Sequence, residues 1–305
     1  MRRWAWAMST VVSLLPALGL ADAGADQGPI FTDDFEQTCV LNEQGQSPDW
    51  RISALLDKQL WPERIRCVED ESTGTRPRVL RIAIHPGDAY DPNPGSNPTE
   101  RVEIQVRHEI VRFDHPVWYA FRFRLAAPWI AVANRTVIHQ IKQNLAPSWE
   151  AEHGGPCPAA NPFFKIEADA DSHGPIFLVK TRGTENCKDG KAATPICGPW
   201  PLRLDHWHWV HVLLKPSQRA GDSELLVWLD GRACAPFTGM LGYLDHGKRD
   251  AGGRPIVDTQ PRFGIYRDAL GDVVQSIEFA DIAFWSSSPS GHPAWHGIRL
   301  GPGAP

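Results

Sequence analysis

The strongest constraint on this chain is the recurrence of short segments in which apolar and polar residues alternate. They are "VLRIAI" (79–84), "RVEIQVRHEI" (101–110), "VWYAFRFRL" (117–125), "TVIHQIKQ" (136–143), "FFKIEADA" (163–170), "IFLVK" (176–180), "HWVHVLLK" (208–215), "ELLVWLDG" (224–231), "RFGIYR" (262–267) and "SIEFADIAFW" (276–285). A period of two is the mark of a strand with differing faces. "FTDDFE" (31–36) reads as a first strand, and "SALLDKQLW" (53–61) suits a short helix. Strands that follow one another without alternating helices argue against a doubly wound parallel sheet. They point to an all-β, antiparallel β-sandwich of β-jelly-roll type, with a barrel as the alternative. The 26 Gly and 27 Pro suit the turns that so many strands need. No repeat or linker divides the chain, so residues 24–305 are expected to form a single domain.

Residues 1–23 have a different character. Arg2 and Arg3 precede an apolar run to Leu20, and Ala21-Asp22-Ala23 is a small-x-small cleavage pattern. This is the layout of a secretory signal peptide. Pro16 interrupts the run, which is short of the roughly 20 residues a membrane span needs. The expected mature protein is secreted or periplasmic, soluble, without a membrane partner, and monomeric. Cleavage would remove two basic residues and one acidic residue, moving the net charge from −5 to −6. That charge argues against bulk binding to nucleic acid. Six cysteines in an exported chain suggest disulfides. The first expected pair is Cys187–Cys197, across the Gly- and Pro-containing "CKDGKAATPIC", and the second is Cys39–Cys67. There is no CxxC pair, and no metal is expected.

Thirteen tryptophans invite a sugar-binding reading, because aromatic faces stack on sugars. Trp207, Trp209, Trp228 and Trp285 lie in strand patterns and are expected to fill the core between the sheets. Trp149 and Trp200 fall in long loops and are the better candidates for lining a cleft.

Three strands have polar stripes backed by apolar ones. Alternation puts Arg101, Glu103, Gln105 and Arg107 on one face, with Val102, Ile104 and Val106 opposite. Gln140 and Lys142 share a face with Ile138, while His139, Ile141 and Gln143 point the other way. Arg262, Gly264 and Tyr266 align, with Phe263 and Ile265 behind them. An ordinary sandwich also turns polar residues to water. What distinguishes these stripes is their mix of Arg, Gln, Lys and Tyr, which suits binding a carboxylate and moving a proton.

The order Arg-x-Glu, then Gln-Ile-x, then aromatic-Gly-x-Tyr resembles the jelly-roll polysaccharide lyases, a concanavalin A-like group. It includes alginate lyases, glucuronan lyases and heparinase-I-like enzymes. "VWYAFRFRL", "HWHWVHVLLK", "ELLVWLDG" and "IEFADIAFW" extend the resemblance from about residue 30 to about residue 286. The resemblance implies a concave sheet that holds an acidic polysaccharide. It makes Arg101 the substrate-binding arginine, Glu103 its orienting partner, Gln140 a neutraliser of the uronate carboxylate and Tyr266 the catalytic tyrosine. Arg262 stands where a lysine is common. Lys142 departs from the pattern, because alginate lyases usually have His there. His139 is close in sequence but points away, so Lys142 is the expected neutraliser or base and His139 the weaker candidate.

Elementary chemistry asks for the same residue types. β-Elimination removes the C5 proton beside a uronate carboxylate and breaks the C4–O bond. The proton becomes acidic only when oriented donors neutralise the carboxylate. Arg101, Gln140 and Lys142 could do so, with Gln105, Arg107 and Arg262 as further substrate contacts. Tyr266 could take the proton and return one to the leaving oxygen. The chemistry requires no cofactor. Two rival readings come from other classes. Glu167, Asp169 and Asp171 lie on one face of "KIEADAD", resembling the acidic stripe of jelly-roll glucanases. A non-catalytic, lectin-like module is the other, with Lys142 marking a retired site.

Overall fold

The computed structural model describes residues 28–36, 41–42, 44–54, 58–72, 74–75, 77–88, 98–132, 135–144, 162–184, 193–243, 258–269, 272–289, 291–296 and 298. The expected signal peptide (1–23), Trp149, Cys39, Cys157 and Cys187 lie outside them. Strands dominate in chain order. They are β1 (Phe31–Asp33), β2 (Trp50–Ala54), β3 (Ile65–Glu69), β4 (Arg78–Ile84), β5 (Thr99–Val106), β6 (Val117–Leu125), β7 (Thr136–Asn144), β8 (Phe164–Asp171), β9 (Gly174–Thr181), β10 (Gly183–Thr184), β11 (Thr194–Pro201), β12 (His208–Lys215), β13 (Glu224–Leu229), β14 (Arg232–Ala233), β15 (Gly242–Tyr243), β16 (Asp258–Asp268) and β17 (Gln275–Trp285). The expected helix at 53–61 is a 3-10 turn (Lys58–Leu60) followed by one α-helical turn, α1 (Trp61–Arg64).

Two antiparallel sheets form a sandwich. The front sheet runs β11-β9-β8-β7-β16-β5-β2, and the back sheet runs β14-β13-β12-β6-β17-β4-β3 with β1 on β17. Neighbours in each sheet are mostly distant in sequence, as in β6–β17 and β5–β16. Such crossovers are what a jelly roll requires. Alternation decides what fills the space between the sheets. Tyr119, Phe121 and Phe123 of β6 meet Phe263 of β16 and Phe279 of β17, all fully buried. Burying each such ring stabilises the fold by roughly 1.5–3 kcal/mol. Phe121 packs edge-on to Phe263, with centroids 5.3 Å apart.

The tryptophans correct the sequence reading. Trp228 and Trp285 are buried, but in a second cluster with Trp118, Trp295, Ala120 and Leu213. Leu225, Val227 and Leu229 point into the sandwich, so Trp228 on the same strand points out of the back sheet. The 3-10 turn Pro293–Trp295 covers this outer cluster, and Trp295 meets Trp118 edge-on at 5.4 Å. Trp207 and Trp209 are half-buried rather than core. The Arg122 and Arg124 guanidinium groups lie 4.9 and 4.8 Å from the Trp207 ring. The phase of the alternation, not aromatic size, decides which side such rings take. Trp200 sits on β11 rather than in a loop. Its ring stacks on Phe177 at 6.1 Å and lies 4.2 Å from the Arg232 guanidinium, so it packs instead of lining a cleft.

The disulfide is also corrected. Cys197 pairs with Cys234, not with Cys187. Cys197 is on β11, an edge of the front sheet, and Cys234 follows β14, an edge of the back sheet. The bond therefore staples one sheet edge to the other. Cys67 is disulfide-bonded as well, and Cys39, its expected partner, lies outside the described residues.

Candidate active site

The outward face of the front sheet brings most of the expected residues together. In register, Tyr266 of β16 faces Arg101 of β5, Gly264 faces Glu103, and Arg262 faces Gln105. On the other side of β16, Arg262 faces Gln140 and Gln260 faces Lys142 of β7. Three adjacent strands, β5, β16 and β7, thus build the centre of the site.

Glu103 is its anchor. The carboxylate is fully buried. One oxygen accepts from Arg101 Nε at 2.5 Å, and the other accepts from Gln140 Nε2. A single buried anion thereby aims a guanidinium and a carboxamide, and its charge offsets the cost of burying Arg101. The Gln140 side chain is fully buried, and its Oε1 has no hydrogen-bond partner among the described residues. Gly264 opens the space over this anchor. A Cβ there would come within 2.2 Å of Val102 O and 2.7 Å of Glu103 Cα, at a φ of 150°. No side chain fits without moving β5 away from β16.

Tyr266 is half-exposed, with its ring between two cations. The Arg101 and Arg135 guanidinium carbons are 4.7 and 4.9 Å from its centroid. Arg135 is held in turn by Asp268, with Nε 3.3 Å from Oδ1. Lys142 is also half-buried. Burial, then the charges of Arg262 and Arg101, lower its pKa to about 8, partly opposed by Glu103. The Arg262 guanidinium donates to Gln260 Oε1.

His139 is inside the sandwich. Its Nδ1–H donates to Arg262 O at 2.8 Å, and Nε2 accepts from the Tyr119 hydroxyl at 3.0 Å. Its ring stacks on Phe263 with centroids 4.4 Å apart. Burial lowers its pKa to about 3, so it is neutral. Arg107 follows the last residue of β5, is exposed, and donates to Ser47 O at 2.6 Å rather than extending the central row. Ile138 is a correction. The β7–β8 register jumps from Val137↔Glu167 to His139↔Ile166, and Ile138 belongs to the core. This bulge turns Ile138 and His139 both inward and leaves Val137 in register with Tyr266.

The acidic stripe of β8 has another role. Glu167 is fully buried and ion-paired to Lys165 at 2.5 Å and to Lys180. Asp171 accepts from His173 N at 2.7 Å and caps the β8–β9 turn. Burial and the Glu167 charge raise the Asp169 pKa to about 6. With Glu167 held between two lysines and Asp171 tied to a turn, the stripe does not present the two free carboxylates of a glycosidase. Sequence reasoning missed Arg135, Arg51, Gln260, Lys165 and Lys180. The two lysines were legible, because Phe164, Ile166, Phe177 and Val179 point inward and leave them on the site face. Arg135 precedes its strand, where alternation gives no signal.

A family model described as polysaccharide lyase matches residues 43–288. The chain belongs to the polysaccharide lyase family. It is accordingly a polysaccharide lyase enzyme with a polysaccharide substrate, rather than a glycosidase or a lectin. Among solved structures, an endo-β-1,4-glucuronan lyase from the fungus Trichoderma reesei is similar, at a TM-score of 0.52 and 14% identity. The match covers 84% of this chain and 94% of that one. An alginate lyase from Pseudomonas aeruginosa matches at a TM-score of 0.47 and 14% identity, covering 78% and 97%. A family 7 alginate lyase matches at 0.45 and 10%, covering 78% and 94%. The search among curated proteins finds no match.

Proposed function

We propose that this lyase acts outside the cytoplasm and cleaves a uronate-containing acidic polysaccharide by β-elimination at the Tyr266 site. The observation that carries the reading is the Glu103 anchor. One buried carboxylate aims Arg101 and Gln140 at the face that also presents Tyr266 and Lys142. A neutral sugar has no use for so many converging cations and amides, whereas a uronate carboxylate needs them.

In this mechanism Arg101, Gln140 and the Lys142 ammonium draw charge from the C6 carboxylate and acidify the C5–H bond. The deprotonated Tyr266 oxygen takes the C5 proton. The electron pair forms the C4=C5 double bond as the C4–O bond breaks, and Tyr266 returns the proton to the departing oxygen. One phenol then serves as base and acid on one face of the sugar. Glu103 touches no reacting atom and acts by positioning. The amino-terminal segment and the disulfides support an exported protein, and glucuronan and alginate are the first polymers to try. The test is a panel of polyuronates and neutral glucans, followed by the ultraviolet absorbance of the unsaturated uronate. Growth of absorbance on a polyuronate alone is the expected result. New reducing ends without absorbance would sink the reading.

A further inference from the structure

A cavity of about 440 Å³ lies at the β2 end of the site face, within the roughly 300–1,000 Å³ of small-molecule sites. Its wall is polar, with Arg51, Ser53, Gln46, Gln105, Gln260 and Arg262 among the lining residues. None of the expected substrate contacts was assigned to a separate pocket, and Arg51, Ser53 and Gln46 were not expected at all. We infer that this pocket binds the carboxylate of a second uronate residue, next along the chain from the one that reacts.

Three observations carry the inference. First, two guanidinium groups flank a buried carboxamide. Arg51, Gln105 and Arg262 are successive partners across β2, β5 and β16, which sets the arginines about 10 Å apart at their backbones. Guanidinium is the group best shaped to grip a carboxylate. Second, the Ser53 hydroxyl oxygen is buried without a hydrogen-bond partner among the described residues. A buried polar atom left unsatisfied is unfavourable, and a ligand hydroxyl or carboxylate satisfies it. Third, the wall is pre-built. Asn42 Oδ1 accepts from the backbone nitrogens of Gln44 and Gln46, each at 3.0 Å. Gly45 turns at a φ of 69°, where a Cβ would meet Ile52 Cδ1 at 2.5 Å. Gln46 then bridges back to Arg51. Ordering these groups before the ligand arrives lowers the entropic cost of binding.

The pocket also adjoins the reactive centre. Gln260 and Arg262 line it from β16, and their register partners on β7 are Lys142 and Gln140. One strand spacing, about 4.8 Å, separates the two rows, a distance that a single sugar residue spans. A chain crossing the sheet can place one carboxylate on the Arg101, Gln140 and Lys142 cluster and the next between Arg51 and Arg262.

The inference rests on the proposed polyuronate reading, so the experiment separates the two. Calorimetry measures hexasaccharides of glucuronan and alginate binding to the Tyr266→Phe protein and to Tyr266→Phe/Arg51→Gln, at low and high salt. Arg51 is exposed on an edge strand, so its replacement leaves the core intact. The second variant is expected to bind at least one acidic hexasaccharide about tenfold more weakly at low salt, the scale of one charge-assisted hydrogen bond. The difference should shrink as salt rises. Unchanged affinity, or a loss of equal size at both salt concentrations, overturns the pocket. The wild-type protein is assayed for turnover on the same hexasaccharides. Cleavage with Arg51-independent binding removes the pocket and leaves the elimination. Arg51-dependent binding without cleavage removes the elimination and leaves the pocket.

Discussion

Burial and two neighbouring guanidinium groups bring the Lys142 ammonium to a pKa of about 8, so its charge is lost within the ordinary assay range. As a neutraliser of the uronate carboxylate it must be protonated. We therefore expect Lys142 to add a falling limb near pH 8 to kcat/KM, which reports the free enzyme. In Lys142→Arg the falling limb at that pH should disappear, because guanidinium stays charged. A limb near pH 8 that rises in the wild type and vanishes in Lys142→Arg would make Lys142 the base instead. His139 gives the opposite kind of expectation. Its folded pKa of about 3 lies below the usual 6.5, so the unfolded chain binds more protons between these values. Its contribution to stability is complete above about 6.5 and is lost as pH falls toward 3. His139→Ala also strands the Tyr119 hydroxyl and leaves a cavity, and should lower stability by roughly 2–4 kcal/mol. Turnover per folded molecule should change little, which thermal melts and active-site titration would separate. Alternation sufficed to put Arg101, Glu103, Gln140 and Lys142 on one face and His139 on the other. It could not reveal that Glu103 holds both Arg101 and Gln140, since that depends on side-chain reach across β16.

Among the elements, β7 shows where a sequence pattern stops being enough. Its alternation holds from His139 onward but breaks at Ile138, where the register with β8 shifts. A bulge depends on the partner strand and leaves no mark in a single segment. The strands β2, β3 and β11 were missed for a related reason. β11 contains Gly198 and three prolines, Pro195, Pro199 and Pro201, and reads as a loop, yet it pairs with β9 along irregular register. That misreading carried the disulfide with it. The Cys197–Cys234 bond closes a separation of 37 residues, which chain entropy makes worth about 4 kcal/mol. The Cys197→Ser/Cys234→Ser double variant should lose stability on about that scale in denaturant titrations. An unchanged midpoint would show that the sheet edges hold without the bond.

For the whole molecule, the net charge of −5 conceals a cationic front face. Arg51, Arg262, Lys165 and Lys180 share one row across β2, β16, β8 and β9, with Gln105 and Gln140 between them. The negative net charge argues against bulk binding to nucleic acid, but composition could not show how charge is distributed over a sandwich. The fold class was legible because period-two patterning repeats along the chain. The cationic row was only partly so, because strand order across a sheet is not written in any one strand. The arrangement implies a preference for polyuronates over neutral glucans that weakens with salt as screening grows. Equal binding to both classes at low salt would contradict it. The central claim is elimination at Tyr266, and the most direct measurement is the initial rate of unsaturated-uronate absorbance for Tyr266→Phe against the wild type on a cleaved polyuronate. Loss of the hydroxyl leaves the ring between Arg101 and Arg135, so the variant should fold and bind but lose nearly all turnover. A Tyr266→Phe enzyme that turns over at the wild-type rate would contradict the account.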